Sequence, residues 1–522
     1  MIVAYRHSSK WLTVVPVIAI LVFVVAPVLN IFSMAIQFDS LAILATPTTR
    51  NVVWFTTWQA VVSTVLVLLF AIPIAAVTTN FKFTGRKMLI SLVTLPFILP
   101  TVVVGAAFLE LLPSTMHRSA VAIIVAHCYF NVGLAVRIIA SRWQQIHPQL
   151  DDAARTLGAS TLQTFLTVTL PLLRKSLISA GLVVFLLCFT SYGVVRILGG
   201  PARSTIETEI YFRAMQLGDV SGALVLSVLQ LVVVGSLVFV MAHFTRAKVN
   251  QQFTQTVLSR NQSPRTLSQR MFIATVALTS TVAVIAPLIS VLRRSIVVSE
   301  RVNFSAWQSI FSDSEILASL MTSLKYAIIT IIFSTIIGLS IACAVNYGSP
   351  RYQFLNLLTA LPVVISAVSI GLGIIVTFDV SPIDWRGAWL IMPIAHCLVA
   401  VPVVVRIVSP VLRDLPNGLR DASQTLGATN WQLWRTIDLR IITPALITAA
   451  AIACAISLGE FGASSLLIRR DNQTLPLTIS RLMARPGDLL QAQAYAIATL
   501  MIVVCIAIIV AIDHLGKTER RI

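Results

Sequence analysis

Charge is scarce in this chain of 522 residues: only 11% are Asp, Glu, Lys or Arg, against about 25% in ordinary soluble domains. Acidic residues are rarer still, 20 against 38 basic ones. A soluble protein of this length would be several domains, each with a polar surface, and so few charged side chains do not wet one. Cysteine is equally sparse. Its six copies (Cys128, Cys188, Cys343, Cys397, Cys454, Cys505) all lie in or beside apolar runs. They make no C-x-x-C pair and no Cys/His spacing suited to zinc. They are expected to be small buried hydrophobes, and no metal site or catalytic residue is expected. No H-E-x-x-H, paired intramembrane aspartate or Ser/His constellation points to an enzyme.

What fills the chain instead is apolar sequence, 57% of it, with a mean hydropathy of +0.89. A bilayer core about 30 Å thick needs roughly 20 apolar residues in a helix. Twelve stretches qualify: 12–36, 57–79, 89–112, 118–141, 177–198 and 221–244, then 271–293, 318–345, 353–378, 387–409, 443–468 and 491–513. No small-residue cleavage site follows the first, which is therefore expected to be a retained helix. The fold class expected is an all-α integral membrane protein.

The net charge of +18 follows this topology. With both termini in the cytoplasm, 24 basic and 7 acidic residues fall inside, a net of +17, and 14 and 13 fall outside, a net of +1. That is the positive-inside pattern, and no basic, aromatic-interleaved face suggests nucleic acid.

Internal repetition appears at a fixed offset of 269 residues. His127-Cys128 returns as His396-Cys397, Val136-Arg137-Ile138 as Val405-Arg406-Ile407, and Asp152-Ala153 as Asp421-Ala422. Thr156-Leu157-Gly158-Ala159 returns as Thr425-Leu426-Gly427-Ala428. The chain is thus expected to be a duplicated six-helix unit, 1–245 and 271–522, joined by a polar cytoplasmic linker at 246–270. An even number of crossings gives two parallel repeats, with a path where they face each other.

Between the fourth and fifth spans of each half lies a polar segment, 142–175 and 410–443. Asp151 and Asp152 suit the first turn of a short helix, and Gly158 suits the left-handed residue that ends it. Leu162, Phe165, Leu166 and Leu170 form a second amphipathic stretch, which Pro171 is expected to break before the membrane helix. A connector would explain one such segment; its preservation in both copies asks for more.

The segment resembles the E-A-A-x3-G-x9-I-x-L-P motif of permease subunits of bacterial ATP-binding-cassette (ABC) importers. Asp152, Ala153, Ala154, Gly158, Val168 and Leu170-Pro171 stand at its positions; in the second copy Asp421, Ala422, Ser423, Gly427, Ile437 and Leu439 do so. Arg440 replaces the second proline, with Pro444 four residues on, so the exit geometry of that loop is open. The stretches Cys188–Gly193, Leu198–Pro201, Thr205–Tyr211, Ser457–Gly462 and Thr474–Pro476 are similar to fused two-half permeases of the thiamine and ferric-iron importers.

The resemblance implies the type I importer (MetI-like) permease fold, with twelve transmembrane helices in the bacterial inner membrane. It also implies alternating access, two cytoplasmic ATPase subunits gripping the loops, and an extracytoplasmic binding protein that delivers thiamine, its phosphates or ferric iron. ATP would sit on the partners and no cofactor on this chain. Gly516-Lys517-Thr518 imitates the end of a Walker A loop, but Ala511 stands where its first glycine belongs.

Polar residues in the spans are candidates for the path: Glu460, its repeat counterpart Ser191, and the paired His127 and His396. Glu460 is either an anionic contact for a cationic substrate or a helix cap, and each histidine either a contact or an interhelical hydrogen bond. An ion-coupled secondary transporter with a 6+6 duplication is the alternative, though it has no need of the repeated loop.

Overall fold

The computed structural model describes residues 9–37, 39–200, 203–245, 262–299, 301–347, 354–355, 359, 361–380, 383–384, 388–469 and 472–519. The chain is helical almost throughout, with two antiparallel hairpins of two-residue strands in loops. Among the described residues ten helices are long and apolar enough to cross a membrane, by length and composition.

In the first half these are α1 (Pro16–Ile36), α2 (Pro47–Asn80), α5 (Ala120–Trp143), α7 (Thr161–Phe189) and α10 (Val220–Met241). Between α2 and α5 lie α3 (Arg86–Ile98) and α4 (Thr101–Leu111). Three short helices complete the half: α6 (Pro148–Thr156), α8 (Gly193–Leu198) and α9 (Ile206–Phe212). The second half repeats the order as α11 (Leu267–Ile296), α12 (Ser314–Tyr347), α13 (Ala367–Phe378), α14 (Ile391–Arg413), α15 (Asn417–Thr425), α16 (Asn430–Gly459), α17 (Gly462–Leu467), α18 (Leu475–Met483) and α19 (Asp488–Ile512).

The outer faces are apolar and exposed, as lipid requires: Leu69, Phe239, Leu278, Ile328 and Val503 are all uncovered. Within each half the same three helices form the centre, α2 with α5 and α7, and α12 with α14 and α16. Near their far ends α4 meets α8, and α13 meets α17. Glycine permits both approaches. A Cβ on Gly105 would lie 2.8 Å from the Ile197 Cβ, and one on Gly371 would lie 3.1 Å from the Ala463 Cα.

The third expected span is not one straight helix. α3 and α4 meet at 103°. Leu99, held between Pro96 and Pro100, takes φ −68° and ψ 145°, because a residue before proline is driven out of the α region. Ile365 and Ser366 interrupt the second half at the matching place, before α13. Part of the expected span 353–378 and most of the linker 246–270 lie outside the described residues.

The expected break at Pro171 is also absent. α7 runs unbroken from the loop to Phe189, passing through a π turn at Phe165–Thr169. There Pro171 falls in the first turn of the α-helical part, where its missing N–H matters least. The same π turn recurs at Trp434–Asp438 beside Arg440, so proline is not its cause and the second loop leaves by the same geometry. Gly516-Lys517-Thr518 continues the last helix and forms no loop.

The halves are tied through their bent spans. Tyr495 and Ser290 of the second half donate to the Ala106 and Ala107 carbonyls of α4, at 3.3 and 3.2 Å. Reciprocally, Asn30 on α1 donates to the Val376 carbonyl of α13 at 3.1 Å. Each half thus builds part of the other's wall.

Candidate functional site

The two loops are near copies in backbone. α6 and α15 start and stop 269 residues apart. Gly158 and Gly427 have φ of +87° and +81°, the left-handed conformation that side chains with a Cβ resist. Around each the backbone closes the double hydrogen bond of a Schellman cap. In the first loop Gly158 N donates to Arg155 O and Ala159 N to Ala154 O; in the second, Gly427 N donates to Gln424 O and Ala428 N to Ser423 O. A capping box then starts the next helix, Ser160 with Gln163 and Thr429 with Gln432.

Asp152, Ala153 and Ala154, and Asp421, Ala422 and Ser423, lie on the short helices. Leu170, Pro171, Ile437 and Leu439 lie at the feet of α7 and α16. The turn carries a residue that the spacing did not single out. Leu157 is 89% exposed and Leu426, its repeat counterpart, 87%. Both belong to the repeated Thr-Leu-Gly-Ala, the signal that could have found them. Each apolar side chain stands in the open between the cap that ends one helix and the cap that starts the next.

The loops differ in what fastens them. In the second, Arg420 on α15 reaches Asp438 through Nε at 3.1 Å and Nη2 at 2.5 Å, and its guanidinium lies 4.3 Å from the centre of the Tyr347 ring. Asp438 is wholly buried. Burial alone would lower the Arg420 pKa, yet the hydrogen bonds to Asp438 hold it above its ordinary value. In the first, the corresponding positions are Asp151 and Thr169, joined by a hydrogen bond of 3.2 Å from the Thr169 hydroxyl.

At the other ends of α7 and α16 the halves touch. The Tyr192 and Phe461 rings, repeat counterparts, lie 5.2 Å apart. Glu460 is buried and caps α17: its Oε1 accepts from Ala463 N at 2.8 Å, its Oε2 from Ser464 N at 2.9 Å and from the Ser464 hydroxyl. His396 lies between Ser457 (Nδ1, 2.8 Å) and Ser464 (Nε2, 3.0 Å), and its Nε2 is 3.5 Å from Glu460 Oε2. Among the described residues the His127 ring has only Ser63, at 3.4 Å on Nδ1, and its Nε2 has no hydrogen-bond partner. The structure therefore brings His396 and Glu460 together and leaves His127 and Ser191 outside that network.

Two membrane-embedded halves of equal design, meeting along a shared interface and each extending the same exposed helix–turn–helix, define a transport permease. The chain belongs to the family of binding-protein-dependent transport system inner membrane components, which matches residues 68–251 and 334–521. It is similar to the thiamine transport system permease protein ThiP of Brucella abortus (strain 2308), 26% identical over 493 residues, 89% of this chain and 88% of that one. The ThiP of Haemophilus influenzae is 25% identical over 457 residues, 82% of each chain, and that of Escherichia coli (strain K12) 24% over 491 residues, 89% of each.

Proposed function

We propose that this chain is the fused two-half permease of an ABC importer that carries thiamine or its phosphates by alternating access. The observation that carries the proposal is the doubled loop: two helices of equal bounds, each closed by a left-handed glycine and followed by a capped helix. In this reading Asp152, Ala153, Ala154 and Gly158 seat in one ATPase subunit, and Asp421, Ala422, Ser423 and Gly427 in the other. Leu157 and Leu426 insert into the partners, each burial contributing about 1.5–3 kcal/mol.

α7 and α16, of 29 and 30 residues, carry the movement roughly 43 Å from the loops through Leu170-Pro171 and Ile437-Leu439 to the Tyr192–Phe461 contact. ATP closure draws the loops together and turns the interface outward; release turns it inward. ATP stays on the partner subunits, and an extracytoplasmic binding protein supplies the cargo. Both termini face the cytoplasm, in keeping with the +17 and +1 division of charge. Ten spans and the bent α3–α4 pair account for up to eleven crossings, and the type I fold would require a twelfth, for which α13 is the candidate. The relatives' names favour thiamine over ferric iron.

The test is reconstitution with the ATPase and the binding protein in liposomes. Uptake of radiolabelled thiamine that needs ATP and the binding protein, and that survives collapse of ion gradients, is the expected result. Uptake driven by an ion gradient without ATPase supports the secondary transporter, and ATP-dependent uptake of another solute alone refutes thiamine as the cargo.

A further inference from the structure

Three buried glutamates lie near the far ends of α7 and α16, and they differ in how fully they are engaged. Glu209, on α9, accepts from Arg213 Nε at 2.8 Å. Both oxygens of Glu460 are taken by the head of α17. Glu207, on α9, is wholly buried, and its Oε1 accepts from Gln230 Nε2 at 2.6 Å. Its Oε2 has no hydrogen-bond partner among the described residues. The Ser366 side chain, at the interruption before α13 in the other half, also stands beside this carboxyl and favours its charged form. The buried Tyr192 hydroxyl, which stands beside Ser465, and Gln230 Oε1 likewise make no close hydrogen bond among the described residues.

A buried polar atom left unpaired costs about 1–3 kcal/mol, and native structures keep few of them. Here three cluster where the halves meet. The fold does not require an acid at this position, because the repeat counterpart of Glu207 is Pro476. Aromatic surface stands beside it: Tyr192 lies 5.7 Å from Tyr211, one turn beyond Glu207 on α9, and 5.2 Å from Phe461 across the interface. Arg196 covers Tyr211 at 5.0 Å, while Tyr192 and Phe461 are buried against each other and covered by no cation among the described residues.

We propose that Glu207, with Tyr192 and Phe461, forms a subsite in the translocation path for a cationic nitrogen heterocycle, uncovered when the halves part. The carboxylate pairs with the positive charge or a ring N–H, the Tyr192 hydroxyl and Gln230 Oε1 accept further donors, and the two rings take the flat faces. Glu460, which sequence reasoning put forward for this task, is occupied as a cap. Burial pushes the Glu207 carboxyl up to about 8, against the lowering effect of Gln230 and Ser366, so the closed site holds no bare charge at neutral pH.

The proposal rests on the importer reading above, and its test separates the two. In liposomes holding the complete transporter and thiamine-loaded binding protein, thiamine imported per ATP hydrolysed is measured for wild type, Glu207→Gln, Glu207→Asp and Tyr192→Phe, with the thermal midpoint of each complex. Glu207→Gln should lower that ratio at least tenfold with an unchanged midpoint, Glu207→Asp less, and Tyr192→Phe two- to fivefold. If Glu207→Gln does not assemble, Glu207→Asp and Tyr192→Phe carry the test. A ratio within twofold of wild type in the assembled variants, or a loss matched by a fallen midpoint, overturns the proposal. Wild type that imports no thiamine overturns the cargo reading, and this subsite with it.

Discussion

Arg420→Ala should loosen the second coupling helix far more than any single change loosens the first. Asp438 is wholly buried, and once Arg420 is gone its carboxylate keeps, among the described residues, only the Tyr347 hydroxyl at 3.5 Å. Removing one member of a buried pair costs about 3–5 kcal/mol. The Arg420 side chain is 22% exposed, so water screens part of the interaction and about 2–3 kcal/mol is the fitting magnitude. At 1.4 kcal/mol per decade this is roughly 30- to 150-fold in the local opening equilibrium.

Amide hydrogen exchange across Asn417–Thr425 in the assembled transporter reads that quantity directly. In the first loop Thr169→Val removes a single hydrogen bond to Asp151, about 1 kcal/mol for a partly exposed pair, so Pro148–Thr156 should exchange only about fivefold faster. Arg420→Met with Asp438→Leu should regain much of the lost protection, since an apolar pair of similar volume replaces a buried ion pair at little cost. Unchanged exchange in Arg420→Ala, or equal losses in the two loops, refutes the claim that the ion pair fastens α15.

Three further outcomes are expected. Gly158→Val should lower ATPase co-purification, because the left-handed backbone costs a β-branched residue at least about 1–2 kcal/mol. Gly158→Asn should retain it; nothing lies within 4 Å of the missing Cβ, so crowding is no rival explanation and equal behaviour of the two variants counts against the cap. Leu157→Asp with Leu426→Asp should abolish co-purification while the complex-free permease keeps its thermal midpoint; retained ATPase would show that the leucines are not the contact. Glu460→Gln weakens the cap of α17 by about 1 kcal/mol, so the midpoint should fall slightly while thiamine uptake per transporter holds; a tenfold loss of uptake at a normal midpoint would return Glu460 to the substrate path.

The loops were legible because their signal is local. The glycine that ends each short helix stands within the repeated Thr-Leu-Gly-Ala, and one register of 269 displayed it twice, while the acidic first turn belongs to the first copy alone. The bend between α3 and α4 was not read, since hydropathy registers an apolar run and is blind to its direction. Leu99-Pro100 carried a clue; in the second half Pro362 stands where Pro96 does, but Ser366 replaces the proline that follows the interruption. Pro171 misled for a related reason: proline ends a helix only when its ring meets a carbonyl, and here it falls where the helical part begins. Arg420 and Asp438, eighteen residues apart, meet only once the π turn has aimed one at the other.

Backbone and side chains have diverged to different degrees, and that difference bears on mechanism. The two copies keep helix bounds, left-handed turns and π turns in one register, as two lever arms that must move together require. At matched positions the polar contacts nevertheless differ: Asp151 and Thr169 against Arg420 and Asp438, Ser191 against Glu460, Glu207 against Pro476. Packing symmetry does not ask for any of these exchanges, and each lies at an end of α7 or α16 or beside their shared contact. A cargo with one charged ring and one neutral ring has no twofold axis. A path lined identically on both sides would hold it equally in two opposed poses, whereas a single acid on one wall orients it. Under the proposed reading such a cargo calls for symmetric levers around an asymmetric lining, and the proposed Glu207 subsite would supply that asymmetry.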